Sequence, residues 1–432
     1  MRILIVATFF PPQNSIASLR SYSWAKYWSR MGHGVTVLTT KKHPRESDMH
    51  MDTKNFQVIE VGVPVMDYFL ERKTQQLEQA KQVLVEPNQI PTQQAKENPI
   101  KSFLKKIMQE TGIFNACRFP DFHDLWAKNA IKKVKQIDWD LVVSTAGPYC
   151  AHRIGLALKK SGKARQWIVD WRDLWTDNHI FRGLFGLKWY EKYLEKQFHK
   201  YANLITTVSE PLAQILRAKT STPVAVILNG FDPEDYTTLS QEPFFTTIET
   251  KHIVYTGSIY KGKRDPSPLF IAIQNLKDKI SSTQLKVVFA GANVEQVKEL
   301  AAEYEVLDYC DFAGFLPRQD ALRMQRDADV LLFLEYEAPG VEGILTGKLF
   351  EYLFAGPEII GVGVTPETSA GKLMLETQKG EAFGKDVQKL EVKLLSLMKS
   401  QRVQKEPAPE AMQVIKQFER EIQAKKMLGL VE

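Results

Sequence analysis

The 432-residue sequence has little of what marks several specialised classes of protein. It has only three cysteines, Cys117, Cys150 and Cys310, which lie far apart and form no C-x-x-C pair. A disulfide scaffold and a cysteine-ligated metal site are therefore not expected, and the sparse, odd count favours a reducing compartment, the cytoplasm. No apolar run reaches the roughly 20 residues that a membrane-spanning helix needs. The opening apolar run, Arg2 to Phe10, is too short for a signal peptide.

The charge shows no strong excess of one sign, with 57 Lys+Arg against 51 Asp+Glu and a formal net charge of +6. So small an excess does not predict nucleic-acid binding, and we expect no nucleic-acid partner. It is concentrated, however: residues 96–135 contain nine basic and four acidic side chains, a local excess of five. The hydrophobic fraction of 44% is that of an ordinary globular protein, and the length suits two or three domains.

Short, fully apolar runs alternate with helical patterns along most of the chain, which is typical of parallel sheets buried on both faces. We predict an α/β protein with two Rossmann-like domains that face a central cleft. The predicted boundaries are residues 1–232 for an acceptor-binding domain, with a helical, basic insertion at about 64–135, and residues 233–405 for a nucleotide-sugar-binding domain. Residues 406–432 are predicted to form a closing helix that packs on the first domain, with Ile415, Phe418 and Ile422 on one face.

The strongest local signal is the segment GILTGKLFEYLFAG at residues 343–356. It follows a predicted strand and begins a helix that Thr346 is placed to cap. Glycines at 343 and 347 let backbone N–H groups approach an anion, and the start of a helix adds positive potential. Lys348 adds a charge, and Glu351, one turn later, can accept hydrogen bonds from two hydroxyl groups. An ordinary capped helix with a solvated glutamate is the alternative interpretation.

This segment resembles the donor-binding helix of retaining glycosyltransferases with the GT-B fold, the large family 4 (glycosyl transferases group 1), and especially its TGKLFEYL branch. Further motifs of that family follow in the usual order. They are FFPP at 9–12, Arg20, GH at 32–33, VTVLT at 35–39, DWRDLW at 170–175, TTVSE at 206–210, LNGFD at 228–232, YTGS at 255–258, FAG at 289–291, FAGF at 312–315 and DADV at 327–330. The region from about 64 to 135 lies outside the resemblance.

The resemblance implies a nucleotide-diphosphate sugar as the donor substrate, with no cofactor and no metal. It assigns the ribose to Glu351 and the diphosphate to backbone amides near the start of the same helix. The residues implied in donor binding are Gly343, Ile344, Leu345, Thr346, Lys348, Glu351, Gly257, Ser258, Lys263, Arg264, Phe312, Gly314 and Phe315. Basic side chains and helix-end amides would stabilise the charge on the leaving diphosphate, where other enzymes use a metal.

The sequence departs from the family pattern at three places. Gly343 stands where the first glutamate of an E-x7-E pair is usual, although the branch cited often lacks that acid. Ser258 replaces a frequent arginine, which leaves Lys263 and Arg264 to neutralise phosphate. Asn14 and Ser15 replace a Gly-Gly pair in the loop after the first strand, which we assign, together with Arg20, to the acceptor side.

Candidate catalytic residues follow two predicted strands of the first domain. Asp170, Arg172 and Asp173 lie just after one of them, where acid and guanidinium groups can orient an acceptor hydroxyl or phosphate. An internal Arg–Asp pair that braces the loop is the alternative. His152, at a helix start, can contact the donor sugar or the acceptor, or it can be a structural core histidine.

The basic stretch also contains Phe103, Leu104, Ile107 and Met108 at helical spacing among lysines. Such a helix can lie on an anionic membrane and bring the enzyme to a lipid-linked acceptor, or it can simply pack on its own domain. The expected location is therefore the cytoplasm, with peripheral contact at the inner face of the membrane.

We interpret the chain as a glycosyltransferase of the EC 2.4 type. It would move a sugar, with retention, to a hydroxyl of a glycan, polysaccharide or lipid-linked acceptor of the cell envelope. Two alternatives stay open: a nucleotide-sugar 2-epimerase of the same architecture, and a catalytically silent binding subunit, which the glycine at 343 motivates.

Overall fold

The computed structural model describes residues 1–42, 49–63, 67, 108, 110–114, 117–178, 181–247, 249–259, 264–335, 345–400 and 407–431. The chain divides into two compact units. Met1–Ile227 and Met427–Glu432 form the first unit, and Leu228–Lys426 form the second. Among the described residues, no helix is both long and apolar enough to cross a membrane.

The first unit is built on a parallel sheet of seven strands in the order β3-β2-β1-β4-β5-β6-β7. The strands are β1 Arg2–Val6, β2 Gly34–Thr40, β3 Gln57–Val61, β4 Trp139–Thr145, β5 Ala164–Trp171, β6 Leu204–Thr207 and β7 Val224–Val226. The helices are α1 Ile16–Arg30, α2 His123–Val134, α3 Cys150–Lys160, α4 Lys188–Tyr201 and α5 Glu210–Arg217, with a 3₁₀ turn at Phe185–Leu187.

Apolar side chains fill the space between this sheet and its helices. The central strand β1 is completely buried from Ile3 to Val6, as a parallel sheet covered on both faces requires. Helix α2 contributes Trp126, Ala130 and Val134 to the same core. The predicted insertion at about 64–135 therefore ends in a helix that belongs to the core of this unit.

The second unit has a parallel sheet of six strands in the order β10-β9-β8-β11-β12-β13. The strands are β8 Lys251–Thr256, β9 Leu285–Ala290, β10 Cys310–Gly314, β11 Val330–Leu334, β12 Glu358–Val362 and β13 Gly380–Gly384. The helices are α6 Glu234–Thr237, α7 Ser267–Asn275, α8 Val294–Glu303, α9 Arg318–Arg326, α10 Gly347–Ala355, α11 Ser369–Glu376, α12 Val387–Lys399, α13 Pro409–Lys416 and α14 Arg420–Gly429. A 3₁₀ turn lies at Leu307–Tyr309.

The end of the chain differs from the single closing helix that we predicted. It forms two helices, α13 and α14, and the backbone between them pairs with the linker: Phe231 N–H donates to Phe418 O at 3.1 Å. Ile415 and Phe418 join an apolar core of the second unit, whereas Ile422 is exposed. The second unit extends to Lys426, and the first unit includes the chain from Met427 onward. That residues 406–432 pack on the first domain stays a prediction.

Candidate functional site

The carboxyl edge of the second sheet is where three strands end in close-packed glycine turns. Gly257 N–H donates to Ala290 O at 2.6 Å, and Gly291 N–H donates to Gly314 O at 2.7 Å. Gly257 and Gly291 have φ angles of +127° and +143°, which side-chain-bearing residues rarely adopt. Ligands of open parallel sheets bind at this edge, so these turns form the floor of a candidate ligand site.

Lys348, in the first turn of α10, reaches over this floor. A Cβ atom on Gly257 would lie 2.2 Å from the Lys348 Nζ atom, so the glycine is what lets the lysine pass. Its Nζ atom donates to the Tyr255 hydroxyl at 2.8 Å and lies 4.5 Å from the centre of the Tyr255 ring. Burial, reinforced by the positive charge of Arg264, lowers the pKa of Lys348 well below its ordinary value. Among the described residues no carboxylate forms an ion pair with it, and this arrangement suits an incoming anion.

Thr346 occupies the N-cap position of α10, as predicted, but its side chain does not cap the helix. The Thr346 Oγ1 atom is buried and has no hydrogen-bond partner among the described residues. A buried hydroxyl without a partner is costly, and the first backbone N–H groups of a helix also lack intrahelical acceptors. The start of α10 therefore offers several donors to a ligand with phosphate oxygens.

Glu351, one turn farther along α10, is buried rather than solvated, so the solvated-glutamate alternative is wrong. Its Oε1 atom accepts a hydrogen bond from Arg318 Nη1 at 3.0 Å and lies 3.6 Å from Arg420 Nη2. Both arginines also pair with Asp235, at 2.6 Å and 3.4 Å, in a cluster of two bases and two acids. Within the described structure no hydrogen bond reaches the Oε2 atom of Glu351, which leaves that oxygen as an acceptor.

Arg318 is the centre of this cluster, and we did not predict it from the sequence. Burial opposes its positive charge, but Glu351 and Asp235 outweigh that effect and raise the pKa of Arg318 above its ordinary value. It is the first residue of α9, just after β10, which the spacing of the FAGFLPR segment could have indicated. Arg420 comes from the chain terminus and carried no local signal at all.

The end of β10 carries three of the residues implied in donor binding, Phe312, Gly314 and Phe315. Its register shifts between Phe312 and Gly314, and Gly314 has a φ of +65°. Phe312 stacks on Phe289 at a centroid distance of 6.0 Å, so its ring belongs to the core. Phe315 is 63% exposed, and its ring face is open to a ligand.

The remaining donor-side residues divide into two groups. Ser258 contributes its carbonyl oxygen, which accepts from Tyr255 Oη at 3.0 Å and from Arg264 Nη1 at 2.8 Å. Leu345 is partly buried and packs against an apolar core of the unit. Three residues lie outside the described residues: Gly343, Ile344 and Lys263.

In the first unit, Asp170 lies at the end of β5 in a fully buried network. Arg20 binds it through two hydrogen bonds, Nη2 to Oδ1 at 2.7 Å and Nε to Oδ2 at 3.1 Å. Thr145 and Thr206 donate to its two oxygens at 2.8 Å each. Arg20 also donates to Ile227 O at 2.8 Å. Asp170 is thus saturated, and although burial opposes its negative charge, Arg20 and the threonines lower its pKa.

This network corrects two predictions. Arg20 does not belong to an acceptor-side loop, because it lies inside α1 with its side chain buried. An internal Arg–Asp pair does exist, as the alternative interpretation foresaw, but the arginine is Arg20 rather than Arg172. Such a network joins α1 to three strands and favours a structural role for Asp170.

Arg172 and Asp173 lie outside the buried network that holds Asp170. Arg172 Nε donates to Ala146 O at 2.8 Å, and Gly147 is what makes room for the guanidinium. Asp173 is exposed and borders a cavity of about 70 Å³ that Cys117, Tyr149 and Asn178 also line. Of the three residues predicted here, Asp173 is therefore the one placed to meet a solute.

His152 lies in the core rather than at a surface. Its Nδ1 atom is 2.8 Å from Ser144 Oγ, and its ring packs edge-on against Trp171 at 4.2 Å. Burial lowers the pKa of His152 to about 3, so the ring is neutral at ordinary pH. Complete burial among aromatic rings favours the structural interpretation over contact with a sugar.

The loop after β1 contributes the other two predicted residues. Ser15 is the N-cap of α1, and its Oγ atom accepts a hydrogen bond from Ala17 N at 3.2 Å. Asn14 is partly exposed beside it. Within the part of the chain that the structure describes, no group of three His, Cys, Asp or Glu residues is arranged to hold a metal ion.

Comparison with known proteins agrees with this architecture. Residues 106–235 match a family model described as Glycosyltransferase Family 4, a range that includes α2 and begins inside the predicted insertion. No curated protein sequence matches the chain.

Solved structures share the fold over nearly their whole length. A glycosyltransferase from Rickettsia africae has a TM-score of 0.60 at 15% identity, covering 100% of this chain and 97% of its own. HepE from Anabaena, in complex with UDP, has a TM-score of 0.60 at 14% identity, covering 100% and 99%. A protein from Listeria monocytogenes assigned as a UDP-N-acetylglucosamine 2-epimerase has a TM-score of 0.52 at 10% identity, covering 100% and 95%. The chain therefore has two Rossmann-like α/β domains of the GT-B fold class.

Proposed function

We propose that the protein is a glycosyltransferase of the EC 2.4 type that takes a sugar from a nucleotide-diphosphate donor and transfers it to an acceptor hydroxyl. The observation that carries the proposal is the set of unsatisfied polar groups on α10. Thr346 to Glu351 hold a lysine with a lowered pKa, a threonine hydroxyl and one carboxylate oxygen; neither oxygen has a hydrogen-bond partner among the residues that the structure describes.

The spacing of these groups matches the parts of a nucleotide. Along a helix, four residues rise about 6 Å, so anion-binding groups at the first turn and a carboxylate one turn later are well separated. The diphosphate would meet Lys348, Thr346 and the helix amides, and the ribose hydroxyls would donate to Glu351 Oε2. The exposed ring of Phe315 supports a stacking contact with the base.

The same groups suit the bond that has to break. Cleavage between the anomeric carbon and the diphosphate leaves negative charge on the leaving oxygen. Lys348 and Arg264 can stabilise that charge, and an anion beside Lys348 favours its protonated form. This supports a reaction without a resident metal or cofactor, in which the basic side chains stabilise the charge on the leaving oxygen.

The acceptor side of the proposal rests on the first unit. Asp173 is exposed beside a small cavity at the carboxyl edge of its sheet, where a carboxylate can orient an attacking hydroxyl. We propose a glycan, polysaccharide or lipid-linked acceptor, transfer with retention of the anomeric configuration, and a cytoplasmic location.

A nucleotide-sugar 2-epimerase is the second candidate, because the Listeria structure shares the fold. Both candidates use a nucleotide-diphosphate sugar, so binding alone does not separate them. The products do: a transferase releases nucleoside diphosphate when an acceptor is present, and an epimerase returns an isomerised nucleotide sugar.

Calorimetric titration with UDP, ADP and GDP, followed by incubation with their sugars, tests the proposal. We expect one nucleoside diphosphate to bind, and Glu351→Gln to reduce its affinity at least tenfold. Glu381→Gln, a change at an exposed glutamate of β13 in the same unit, is the matched control and should bind normally.

Unchanged affinity in Glu351→Gln would exclude the ribose assignment. Isomerised nucleotide sugar as the product would select the epimerase. Nucleotide binding without turnover, across a panel of oligosaccharide and lipid-linked acceptors, would instead support the silent binding subunit.

A further inference from the structure

Helix α4 of the first unit presents large aromatic rings to solvent. Phe185, in the 3₁₀ turn before it, is 94% exposed, Trp189 is 69% exposed and Tyr193 is 53% exposed. These residues are four apart in the sequence, so the two rings on the helix lie on one face and the ring of the turn continues their line. Large aromatic side chains are usually buried, and three exposed ones within nine residues mark an interaction surface.

The charges of the same segment are sorted by face. The helix packs inward through Glu191, Leu194, Glu195 and Phe198, and both of these acids are buried. Glu191 Oε2 is 2.8 Å from Arg118 Nη2, and Glu195 Oε2 is 3.1 Å from Lys219 Nζ, so each acid is neutralised within the unit.

Every charged side chain that is exposed between residues 181 and 200 is therefore basic. No ion pair joins the lysines of the helix to another residue of the described structure. We call this surface the aromatic–lysine face, and it consists of Arg182, Phe185, Lys188, Trp189, Lys192, Tyr193, Lys196 and Lys200.

We propose that the aromatic–lysine face is the surface by which this protein binds an anionic lipid bilayer. Trp and Tyr have an apolar ring with a polar edge, which suits the boundary between headgroups and acyl chains. Lysine side chains beside them can extend their ammonium groups to lipid phosphates while their methylene stems stay on the apolar surface. The helix would lie in the plane of the membrane without crossing it.

Both parts of the face contribute to this binding. A single basic residue near a negatively charged leaflet strengthens binding by a factor of roughly five at physiological salt, and this contribution is screened as salt rises. Insertion of the aromatic rings is much less sensitive to salt, since it depends on apolar area.

A protein partner fits this surface less well. The buried centres of protein interfaces are depleted in lysine, whereas here Lys188 and Lys192 directly precede the exposed rings of Trp189 and Tyr193. This surface also differs from the stretch at 101–108 that the sequence indicated, which lies outside the described residues apart from Met108.

Cosedimentation of the full chain with lipid vesicles tests the inference without nucleotide sugar, so the result does not depend on the proposed transfer reaction. We expect binding to vesicles of phosphatidylcholine with about 30% phosphatidylglycerol, and at least tenfold weaker binding to phosphatidylcholine alone. The double change Trp189→Ser and Tyr193→Ser should lower affinity at least tenfold in high salt, where the aromatic part dominates. Lys192→Glu with Lys196→Glu should abolish binding in low salt.

Two controls test whether this face alone is responsible. Val392→Ser removes an apolar side chain of the second unit that is as exposed as Trp189, 69%, and vesicle binding should not change. A triple change of Lys128, Lys132 and Lys135 to Gln removes two exposed lysines of α2 and the exposed lysine that follows it, and should reduce binding by much less than the α4 variants. All of these side chains are exposed, and circular dichroism melting checks that each variant is folded.

Three results would overturn the inference. The first is that the protein does not bind anionic vesicles. The second is that the α2 variant loses vesicle binding while the α4 variants keep it. The third is that the protein self-associates, and that the Trp189→Ser and Tyr193→Ser changes abolish this self-association but leave vesicle binding unaffected. Such a result would identify the face as an interface between protein molecules.

Discussion

The carboxyl edge of the first sheet and that of the second both bury ionisable side chains, but they satisfy them differently. Asp170 in the first unit receives two hydrogen bonds from Arg20 and one each from Thr145 and Thr206. In the second unit, Lys348 has a phenol as its hydrogen-bond partner, and the hydroxyl of Thr346 has none among the described residues.

This difference indicates that the first edge contributes to stability and the second to ligand binding. A saturated buried ion contributes to holding strands and helix together, and its removal leaves an uncompensated charge. A buried donor without a good acceptor weakens the free protein and is stabilised when a ligand supplies the acceptor. We therefore expect mutations at the first edge to lower stability and mutations at the second to weaken ligand binding.

Asp170→Ala should destabilise the first unit severely. It leaves Arg20 buried without its partner, which costs about 3–5 kcal/mol of unfolding free energy. Urea unfolding measures the loss. Asp138→Asn removes an exposed ion pair with Lys163 in the same unit and should cost less than about 1 kcal/mol. A stable Asp170→Ala protein that lacks only transferase activity would return Asp170 to the catalytic residues.

Lys348→Met should have the opposite effect to Asp170→Ala: little or no loss of stability, and much weaker nucleotide binding. The change removes a desolvated cation but also a charge-assisted contact with phosphate, worth roughly 1.5–3 kcal/mol, or about 10- to 100-fold in affinity. Calorimetry with the bound nucleoside diphosphate measures this. Lys379 is the matched buried lysine: its Nζ donates to Gly356 O at 3.0 Å, so Lys379→Met should destabilise the protein and spare nucleotide affinity. If Lys348→Met lowered stability and Lys379→Met weakened nucleotide binding, the assignment of Lys348 to binding and of Lys379 to the fold would be wrong.

His152 predicts a pH dependence of stability. Unfolded histidine takes up a proton below about pH 6.5, whereas burial keeps the folded ring neutral down to a pKa of about 3. Unfolding therefore consumes a proton between these values, and stability falls as the pH falls, by up to about 1.4 kcal/mol per pH unit. Unfolding midpoints between pH 6.5 and 4.5 should depend less on pH in His152→Gln than in the wild type. An equal slope in His152→Gln and the wild type would contradict the buried neutral ring.

Thr346→Val should give the smallest effect. Valine keeps the shape and removes the unpartnered hydroxyl, so the free protein should be equally or slightly more stable. Nucleotide affinity should fall by about 1 kcal/mol, roughly fivefold, because one hydrogen bond to phosphate is lost. Differential scanning fluorimetry with and without nucleotide reports both effects together. Lower stability with unchanged affinity would show that the hydroxyl serves the fold.

Most of the fold could be predicted because buried parallel strands are continuous apolar runs. Strands β11 and β12, with the sequences VLLFL and EIIGV, are such runs. Strand β13, with the sequence GEAFG, is not, because it is an edge strand with two glycines and an exposed glutamate. The closing helix was predicted as one piece, since periodicity does not show that a backbone pairing at Phe418 interrupts it.

The site was predictable only as far as its signals are local. Thr346, Lys348 and Glu351 lie within six consecutive residues of a recognisable segment, and all three are found at the start of α10. Arg318 and Arg420 reach Glu351 from elsewhere in the chain, and only tertiary packing brings them there. Arg20 and Asp170 are 150 residues apart, so nothing in the sequence paired them.

The backbone pairing of Phe231 with Phe418 has a consequence for the order in which the protein can be made. All seven strands of the first unit have been synthesised by residue 226, whereas the second unit needs Ile415, Phe418 and Arg420 to complete its core and its ion cluster. Arg420 therefore joins Asp235 and Glu351 late in synthesis, after the strands of both described sheets have been made. A chain that ends near residue 400 would contain those strands but lack the residues that complete the core and the ion cluster of the second unit.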